Sequence, residues 1–176
     1  TLATGFSSAG AITFTTHDIT TLANGPNSVH AADVDGDGDM DVLSASTIGG
    51  KITWYENNGS ESFTLHDITT SAPYARTVYA TDIDSDGDMD VISALWGGIF
   101  LDDYISWYEN DGSENFTDHA ISTNNFYSMW ATWVYPTDLD SDGDMDVLST
   151  AVSGDSDISW YENDGSESFT PQSIIT

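Results

Sequence analysis

The feature that most constrains this chain is an internal repeat. The segment DVDGDGDMDV at 33–42 returns as DIDSDGDMDV at 82–91 and as DLDSDGDMDV at 138–147. A second block, which opens ITWYENNGS or ISWYENDGS, follows each of these segments at 52–70, 105–123 and 158–176. A chain that repeats at intervals of about 50 residues folds as a series of similar units, each packed against its neighbours.

The two blocks divide the chain into three whole repeats and a fragment. The whole repeats span 22–70, 71–123 and 124–176, and they differ in length because of insertions between Trp96 and Tyr104 and in the stretch Phe126–Trp133. The fragment lies within 1–21, where TFTTHDITT at 13–21 matches SFTLHDITT at 62–70. We therefore predict a single domain over 1–176, made of one partial unit and three complete ones.

Each repeat has the pattern of four short strands and no helix. The first strands precede the aspartate segments, and the second strands follow them with β-branched and small residues. The third strands carry the Trp-Tyr-Glu motif, and an Asn/Asp-Gly-Ser turn leads from each of them into a fourth. The predicted first strands are 28–32, 77–81 and 133–137; the second begin at 42, 91 and 147; the third are 52–56, 105–109 and 158–162; the first of the fourth strands is 63–68.

Four antiparallel strands in about 50 residues is the pattern of a β-propeller blade. A solenoid is the competing repeat architecture, but units of this length exceed the coils of a β-helix. We predict an all-β propeller fold, with about three and a half four-stranded antiparallel blades in this chain. A closed ring needs about four to eight blades. The sequence therefore predicts either a homo-oligomer that completes the ring or a part of a longer repeat array.

The aspartate segments have the composition of a metal-binding loop. Positions 1, 3, 5 and 9 are aspartates that can converge on one centre, position 6 is a glycine that permits a sharp turn, and position 7 is an aspartate expected to offer its backbone carbonyl while its side chain faces water. Oxygen ligands in this number suit Ca²⁺, which takes six to eight of them. The predicted ligands at three calcium sites are Asp33, Asp35, Asp37, Asp39 and Asp41; Asp82, Asp84, Asp86, Asp88 and Asp90; and Asp138, Asp140, Asp142, Asp144 and Asp146.

Two other cation sites fit these segments less well. An EF-hand needs a glutamate at position 12 and flanking helices, whereas position 12 here is Ser44, Ser93 or Ser149 and the flanks are predicted strands. Magnesium is less suitable because so many carboxylates would crowd a small octahedral ion.

The charge of the chain supports bound cations and excludes several partners. Thirty acidic residues face two basic ones, and the formal net charge is −28. Three calcium ions would add +6 and leave −22, which suits salty surroundings where charge is screened. Such a charge would repel nucleic acid and anionic membranes, and the sequence has no apolar run long enough for membrane insertion.

The D-x-D-[GS]-D-G-D-M-D-V loops and the W-Y-E-N-[ND]-G-S blocks together resemble the FG-GAP/VCBS-type repeat family. These are calcium-binding propeller blades that also occur in integrin α-subunits. The resemblance covers nearly the whole chain. It implies calcium in the hairpin between the first and second strands of each blade, and a secreted or cell-surface setting, often in a larger bacterial protein. It implies no single activity, since such repeats occur in adhesins, lectins and polysaccharide-active enzymes.

Positions that recur from repeat to repeat are interpreted as structural. His66 and His119 share one such position, which Gln172 fills in the last repeat, and Trp54 and Glu56 mark two others. Positions that differ between repeats are the better candidates for binding a glycan or protein ligand, with aromatic rings stacking on sugars. They comprise the inner-strand residues His30, Tyr79 and Tyr135 and the unrepeated residues Arg76, Trp96, Trp130 and Trp133.

The sequence favours a non-catalytic, calcium-stabilised extracellular module for binding and assembly, lectin-like or adhesin-like. No nucleophile–base pair or phosphate loop stands out, so we expect no enzymatic activity. The alternative is a fragment or subunit of a calcium-dependent enzyme that acts on acidic polysaccharide.

Overall fold

The computed structural model describes residues 13–96, 104–123, 131–151 and 158–173. These residues form three four-stranded antiparallel sheets, and each sheet lies within one sequence repeat. The first sheet contains β1 (Pro26–Ala32), β2 (Asp41–Ser46), β3 (Lys51–Asn57) and β4 (Phe63–Thr69). The second contains β5 (Ala75–Thr81), β6 (Asp90–Leu95), β7 (Tyr104–Asn110) and β8 (Phe116–Thr123). The third contains β9 (Ala131–Thr137), β10 (Asp146–Ala151), β11 (Ile158–Asn163) and β12 (Phe169–Ser173).

Within every sheet the strands are paired in sequence order. This meander, with three repeats of four antiparallel strands, confirms the predicted all-β, propeller-type architecture. Among the described residues no helix is present, so none is long and apolar enough to cross a membrane.

The hydrophobic core lies between successive sheets. One cluster joins Leu43, Ile52 and Trp54 of the first sheet to Val78 and Tyr108 of the second. A second cluster joins the other face of the second sheet to β9, β10 and β11 of the third. Because β5 packs against β1 and β2, and β9 against β5 and β6, the first strands of the three sheets lie next to one another.

Each first strand begins with a β-bulge. The register shifts between Pro26 and Ser28, between Ala75 and Thr77, and between the partners of Thr150 and Ala151. The extra residues are therefore Asn27, Arg76 and Thr132. Bulges redirect a side chain out of the regular pleat, so these three equivalent residues mark one end of the three sheets, and the aspartate segments mark the other.

The partial unit behaves differently from the whole repeats. Residues 13–25 form no strand, and the side chain of Phe14 is 91% exposed. The segment 13–21 copies the sequence of β4, but β4 is held by hydrogen bonds to β3, and the described residues contain no third strand beside 13–21. The predicted partial blade therefore stays a prediction.

Candidate metal centres in the aspartate loops

Each aspartate segment forms the hairpin between the first and second strands of a sheet. In every copy at least three carboxylates converge, with one oxygen from each lying within 4.8 Å of the others. Two oxygens on opposite sides of one calcium ion are about 5 Å apart, since calcium–oxygen distances are about 2.3–2.6 Å. The clusters are therefore of the right size for one such ion. They are Asp33, Asp35 and Asp37; Asp82, Asp84 and Asp86; and Asp138, Asp140 and Asp146.

Hydrogen bonds within each loop hold the carboxylates in place. In the first loop the backbone N–H of Asp37 donates to Asp35 Oδ1 at 3.1 Å, and that of Asp39 donates to Asp37 Oδ1 at 2.8 Å. The other two loops repeat both bonds. Position 6 needs glycine, because the φ angles of Gly38, Gly87 and Gly143 are 97°, 102° and 108°, which residues with a side chain rarely adopt.

The aspartate at position 9 has a second role that the sequence analysis missed. Asp90 is fully buried, and its Oδ2 accepts a hydrogen bond from the backbone N–H of Ile83 at 2.9 Å. Its Oδ1 accepts from the backbone N–H of Asn110 at 2.8 Å. Asp41 and Asp146 do the same in their own sheets. This residue therefore ties the start of the loop to the end of the third strand, whether or not it also contacts a metal.

A signal for this role is present in the sequence. Oδ1 of each position-9 aspartate accepts a hydrogen bond from the backbone N–H of the last residue of the third strand. That residue is an asparagine in all three repeats: Asn57, Asn110 and Asn163. The side-chain amide of the same asparagine donates to the carbonyl of the methionine before the aspartate, at 3.1–3.3 Å. Every aspartate segment contains Met-Asp, and every Trp-Tyr-Glu block continues with Asn. This joint recurrence could have indicated the contact.

The aspartate at position 7 also differs from the prediction. Its side chain was expected to face water, but Asp39 is only partly exposed and lies against Gly59 of the turn between β3 and β4. A Cβ atom at Gly59 would collide with the Asp39 carboxylate. Gly112 and Gly165 have the same relation to Asp88 and Asp144. The reason is that the two hairpins at this end of each sheet lie side by side. Ligation through the position-7 carbonyl stays a prediction.

The electrostatics of the loops favour a bound cation. Burial raises the pKa of Asp90 to about 6. Burial is also the largest cause of the raised pKa of Asp84, and the charges of Asp86, Asp82 and Glu109 add to it. The pKa values of Asp35 and Asp140 are raised in the same way. A carboxylate whose ionised form is disfavoured by burial and like charges is one that a divalent ion would stabilise.

One buried oxygen in the first loop supports the same conclusion. Asp33 Oδ1 is buried, and no described donor forms a hydrogen bond with it. A buried anionic oxygen without a partner is unfavourable, and a metal ion in the cluster would satisfy it. The donor set contains only oxygens, which is the set that calcium prefers. The residues of all three loops therefore fit calcium.

The repeat-invariant Trp, His and Glu residues contact one another on the third and fourth strands. The ring of His66 stacks on Trp54 with centroids 4.6 Å apart, and His66 Nε2 lies 2.8 Å from Glu56 Oε2. The second sheet repeats this arrangement with Trp107, His119 and Glu109. In the third sheet Gln172 Nε2 donates to Glu162 Oε2 at 2.9 Å. These contacts agree with the structural interpretation of the three positions.

The structure brings some of the predicted ligand-binding residues together. The rings of His30 and Tyr79 are 4.2 Å apart, and those of Tyr79 and Tyr135 are 5.4 Å apart. The first strands of the three sheets, β1, β5 and β9, thus carry one continuous row of rings. Burial lowers the pKa of His30. Separately, the guanidinium of Arg76 lies 4.7 Å from the ring centroid of Trp96.

The remaining two candidates do not join these groups. Trp133 is 52% exposed, and it lies on the outer face of the third sheet, where Thr77 at the same register of the second sheet is buried. Trp130 lies outside the described residues. Tyr74 was not among the predicted residues, although its ring is 5.5 Å from that of Trp96.

Comparison with known proteins gives one family. No curated protein matches the chain. A family model described as "FG-GAP-like repeat" matches residues 5–44, 33–93, 95–149 and 138–176, which together cover nearly the whole chain. With its three four-stranded sheets, the chain therefore belongs to the FG-GAP-like repeat family.

Proposed function

We propose that this chain is a calcium-stabilised β-propeller module that works outside the cell or on its surface, and that it binds and assembles rather than catalyses. The observation that carries the proposal is the threefold repetition of a partly buried carboxylate cluster. In each cluster the second aspartate, Asp35, Asp84 or Asp140, has a pKa raised by burial and by the charges of its neighbours. One acidic turn can do without an ion, but three such clusters in a chain of net charge −28 favour bound cations.

Calcium is the proposed ion, and the extracellular setting follows from it. Loops of exposed oxygen ligands bind calcium with affinities that range widely, and the weaker extracellular modules have dissociation constants of about 10⁻⁴–10⁻³ M. Such sites are filled in the millimolar calcium outside cells. The remaining negative charge is screened there by salt.

A calorimetric titration of the chelator-treated chain with CaCl₂ tests this proposal. The expected result is three bound ions per chain, with much weaker binding of MgCl₂ in a parallel titration. Asp84→Asn, which changes only the second loop, is expected to leave two ions. No heat of calcium binding, or binding of magnesium with equal affinity, would show that the proposal is wrong.

The assembly part of the proposal concerns the two outer sheets. Val78 and Val134 are buried between sheets, at 1% and 0% exposure, whereas Val29 at the same register of the first sheet is 70% exposed. On the opposite face, Ile52 and Ile105 are fully buried, whereas Ile158 of the third sheet is 47% exposed. Leu139 is likewise exposed, although its equivalents Val34 and Ile83 are buried.

The two open faces are complementary in kind. The open face of the third sheet, with Ile158, corresponds to the faces of the first and second sheets that the next sheet in the chain covers. The open face of the first sheet, with Val29, corresponds to the faces of the second and third sheets that provide this cover. We therefore propose that a second copy of this chain covers them head to tail, so that the blades of several copies close a ring.

Sedimentation velocity in calcium tests the assembly. The expected result is an oligomer that dissociates when Ile158 is changed to Lys. Thr64→Lys, at an exposed residue of the outermost strand β4 on the face opposite Val29, is the matched control and is expected to leave the oligomer intact. A wild-type chain that stays monomeric at tens of micromolar would contradict this part of the proposal.

A further inference from the structure

The ends of the sheets opposite the calcium loops are not equivalent. In the first sheet this end carries Gly25, Asn27 and Thr47, and the backbone N–H of Thr47 donates to the carbonyl of Gly25 at 2.9 Å. In the second sheet the N–H of Trp96 donates to the carbonyl of Tyr74 at 3.4 Å. The same backbone arrangement, a β-bulge closed by this hydrogen bond, thus carries the small residues Gly25, Asn27 and Thr47 in one repeat. In the next it carries Tyr74, Arg76 and Trp96, which we call the Arg76 cluster.

The backbone of the Arg76 cluster is strained at Tyr74. The φ angle of Tyr74 is 54°, and that of Gly25 at the equivalent position is 66°. Glycine adopts such angles without cost, whereas a bulky residue with positive φ is unusual. Strain of this kind persists only where the surrounding structure holds it, and it is concentrated at binding and active sites. The ring of Tyr74 is 43% exposed, so burial of the ring does not account for the strain.

Arg76 is held in place but lacks an acidic partner among the described residues. Its guanidinium lies over the ring of Trp96, and its position on the bulge is fixed because Asn27 Nδ2 donates to the Arg76 carbonyl at 2.7 Å. Its Nε is buried without a hydrogen-bond partner, and no described carboxylate forms an ion pair with it. The other basic residue, Lys51, pairs with Asp67 at 2.5 Å. An ordered guanidinium that pairs with no carboxylate of the described residues is suited to an external anion.

We infer that the Arg76 cluster binds a carboxylate-bearing sugar unit, that is, a uronate residue of an acidic saccharide. The guanidinium would take the carboxylate, and the exposed ring of Tyr74 would pack against the sugar ring. Stacked arginine with adjoining aromatic rings gives both an anion contact and a flat apolar surface. The inference deepens the proposed binding role and rests on it.

The net charge of the chain does not prevent this binding. Arg76 lies six positions before Asp82, the first aspartate of its loop, and the extended strand between them spans about 20 Å at about 3.3 Å per residue. Charges are largely screened beyond about 8 Å at physiological ionic strength. The carboxylate would therefore interact mainly with the local guanidinium.

Binding of an oligoglucuronate to the calcium-loaded chain, measured by calorimetry, tests the inference. The expected result is binding that weakens at least tenfold in Arg76→Gln and in Tyr74→Gly. It should also weaken at least tenfold when the ligand is the methyl ester of the same oligosaccharide. Lys51→Gln removes the same charge from a side chain that is already paired with Asp67, and it is the matched control, with an unchanged dissociation constant expected. Calcium stoichiometry and melting temperature show whether each variant is folded.

Each other outcome overturns the inference in a recognisable way. Equal binding by wild type and Arg76→Gln would place the saccharide elsewhere and leave the proposed binding role standing. Equal competition by inorganic sulfate, or tighter binding of a glutamate-rich peptide, would show that the cluster does not select a sugar. Absence of oligoglucuronate binding with three calcium ions bound would refute the inference but not the calcium module. Absence of calcium binding as well would refute the proposed function too.

Discussion

The two ends of the three sheets differ in what the repeats preserve. At the loop end, all three repeats have the same aspartates, the same Asn–Asp contact and the same adjoining hairpin. At the opposite end the backbone hydrogen bond is kept, but Gly25 of the first sheet is replaced by Tyr74 in the second. The comparison teaches that identical side chains here serve the scaffold and the proposed cation sites, whereas differing side chains on an identical backbone are free to serve a ligand.

The largest effect is expected from chelation, which acts on all three copies of the loop end at once. A ligand at 100 times its dissociation constant stabilises the native state by about 2.7 kcal/mol per site, so three sites contribute about 8 kcal/mol. This is comparable to the whole stability of a typical domain, about 5–15 kcal/mol. Excess EDTA should therefore lower the melting temperature steeply, and added calcium should restore it. A melting curve that EDTA leaves unchanged would show that the aspartate loops do not bind a stabilising cation.

The next largest effect is expected from a variant that separates the two roles of aspartates in the second loop, hydrogen bonding by Asp90 and proposed calcium binding by Asp84. Asp90→Ala removes the acceptor of two backbone N–H groups, and a buried unsatisfied donor costs about 1–3 kcal/mol. The gain from no longer burying a carboxylate offsets part of this loss. We expect a loss of about 2–4 kcal/mol in denaturant unfolding, in calcium and in EDTA alike.

Asp84→Asn is the matched variant for that experiment. It should weaken calcium binding in the second loop but leave the chelated protein as stable as wild type or slightly more stable, because it removes a charge that burial and Asp86 disfavour. If both variants lost stability only in calcium, position 9 would be a ligand and not a structural tie.

A smaller effect is expected from two glycines of the first sheet with nearly equal backbone angles. Gly36 has a φ of 74° with nothing within 4 Å of an added Cβ, whereas Gly59 has a φ of 73° and its Cβ would collide with Asp39. Positive φ costs a residue with a side chain about 1–2 kcal/mol, and both alanine variants incur that. Only Gly59→Ala must also displace the carboxylate of the neighbouring hairpin.

We therefore expect Gly59→Ala to be the more destabilising of the two by at least about 1 kcal/mol, an ordinary cost of overpacking, as measured by urea unfolding in calcium. Ser85 and Ser141 occupy the position of Gly36 at φ values of 65° and 67°, so a side chain is tolerated there. Equal losses in the two variants would mean that the hairpins do not constrain each other.

The sequence was sufficient to predict the four-strand repeat and the aspartate clusters, because both depend on local pattern. Alternation, turn residues and the spacing of carboxylates all act within about ten residues of chain. The tie between Asp90 and Asn110 was not predicted, because it joins residues twenty positions apart, and the recurring Met-Asp and Asn that indicate it lie in different blocks of the repeat. The Arg76–Trp96 contact was also missed, because these side chains lie twenty positions apart and meet only through the pairing of β5 with β6, although both residues were recognised as unrepeated.

The opposite end also offers the smallest predicted effect, at Tyr74. Tyr74→Gly removes the strain of a positive φ, worth about 1–2 kcal/mol, but it also removes the ring contact with Trp96, worth about 0.5–1.5 kcal/mol. Glycine adds about 0.5–1 kcal/mol of backbone entropy cost. These contributions nearly cancel, so the free energy of unfolding should change by no more than about 1 kcal/mol.

Gly25→Ala is the control for Tyr74→Gly, since an added Cβ there would press on the side chain of Ile48. It should destabilise the first sheet clearly in the same urea titration. If Tyr74→Gly were instead as harmful as Gly25→Ala, the tyrosine would be part of the scaffold, and the two ends of the sheets would not differ in the way argued above. A near-neutral Tyr74→Gly would mean that stability does not keep a strained tyrosine in place of glycine, as the proposed contact with a ligand requires.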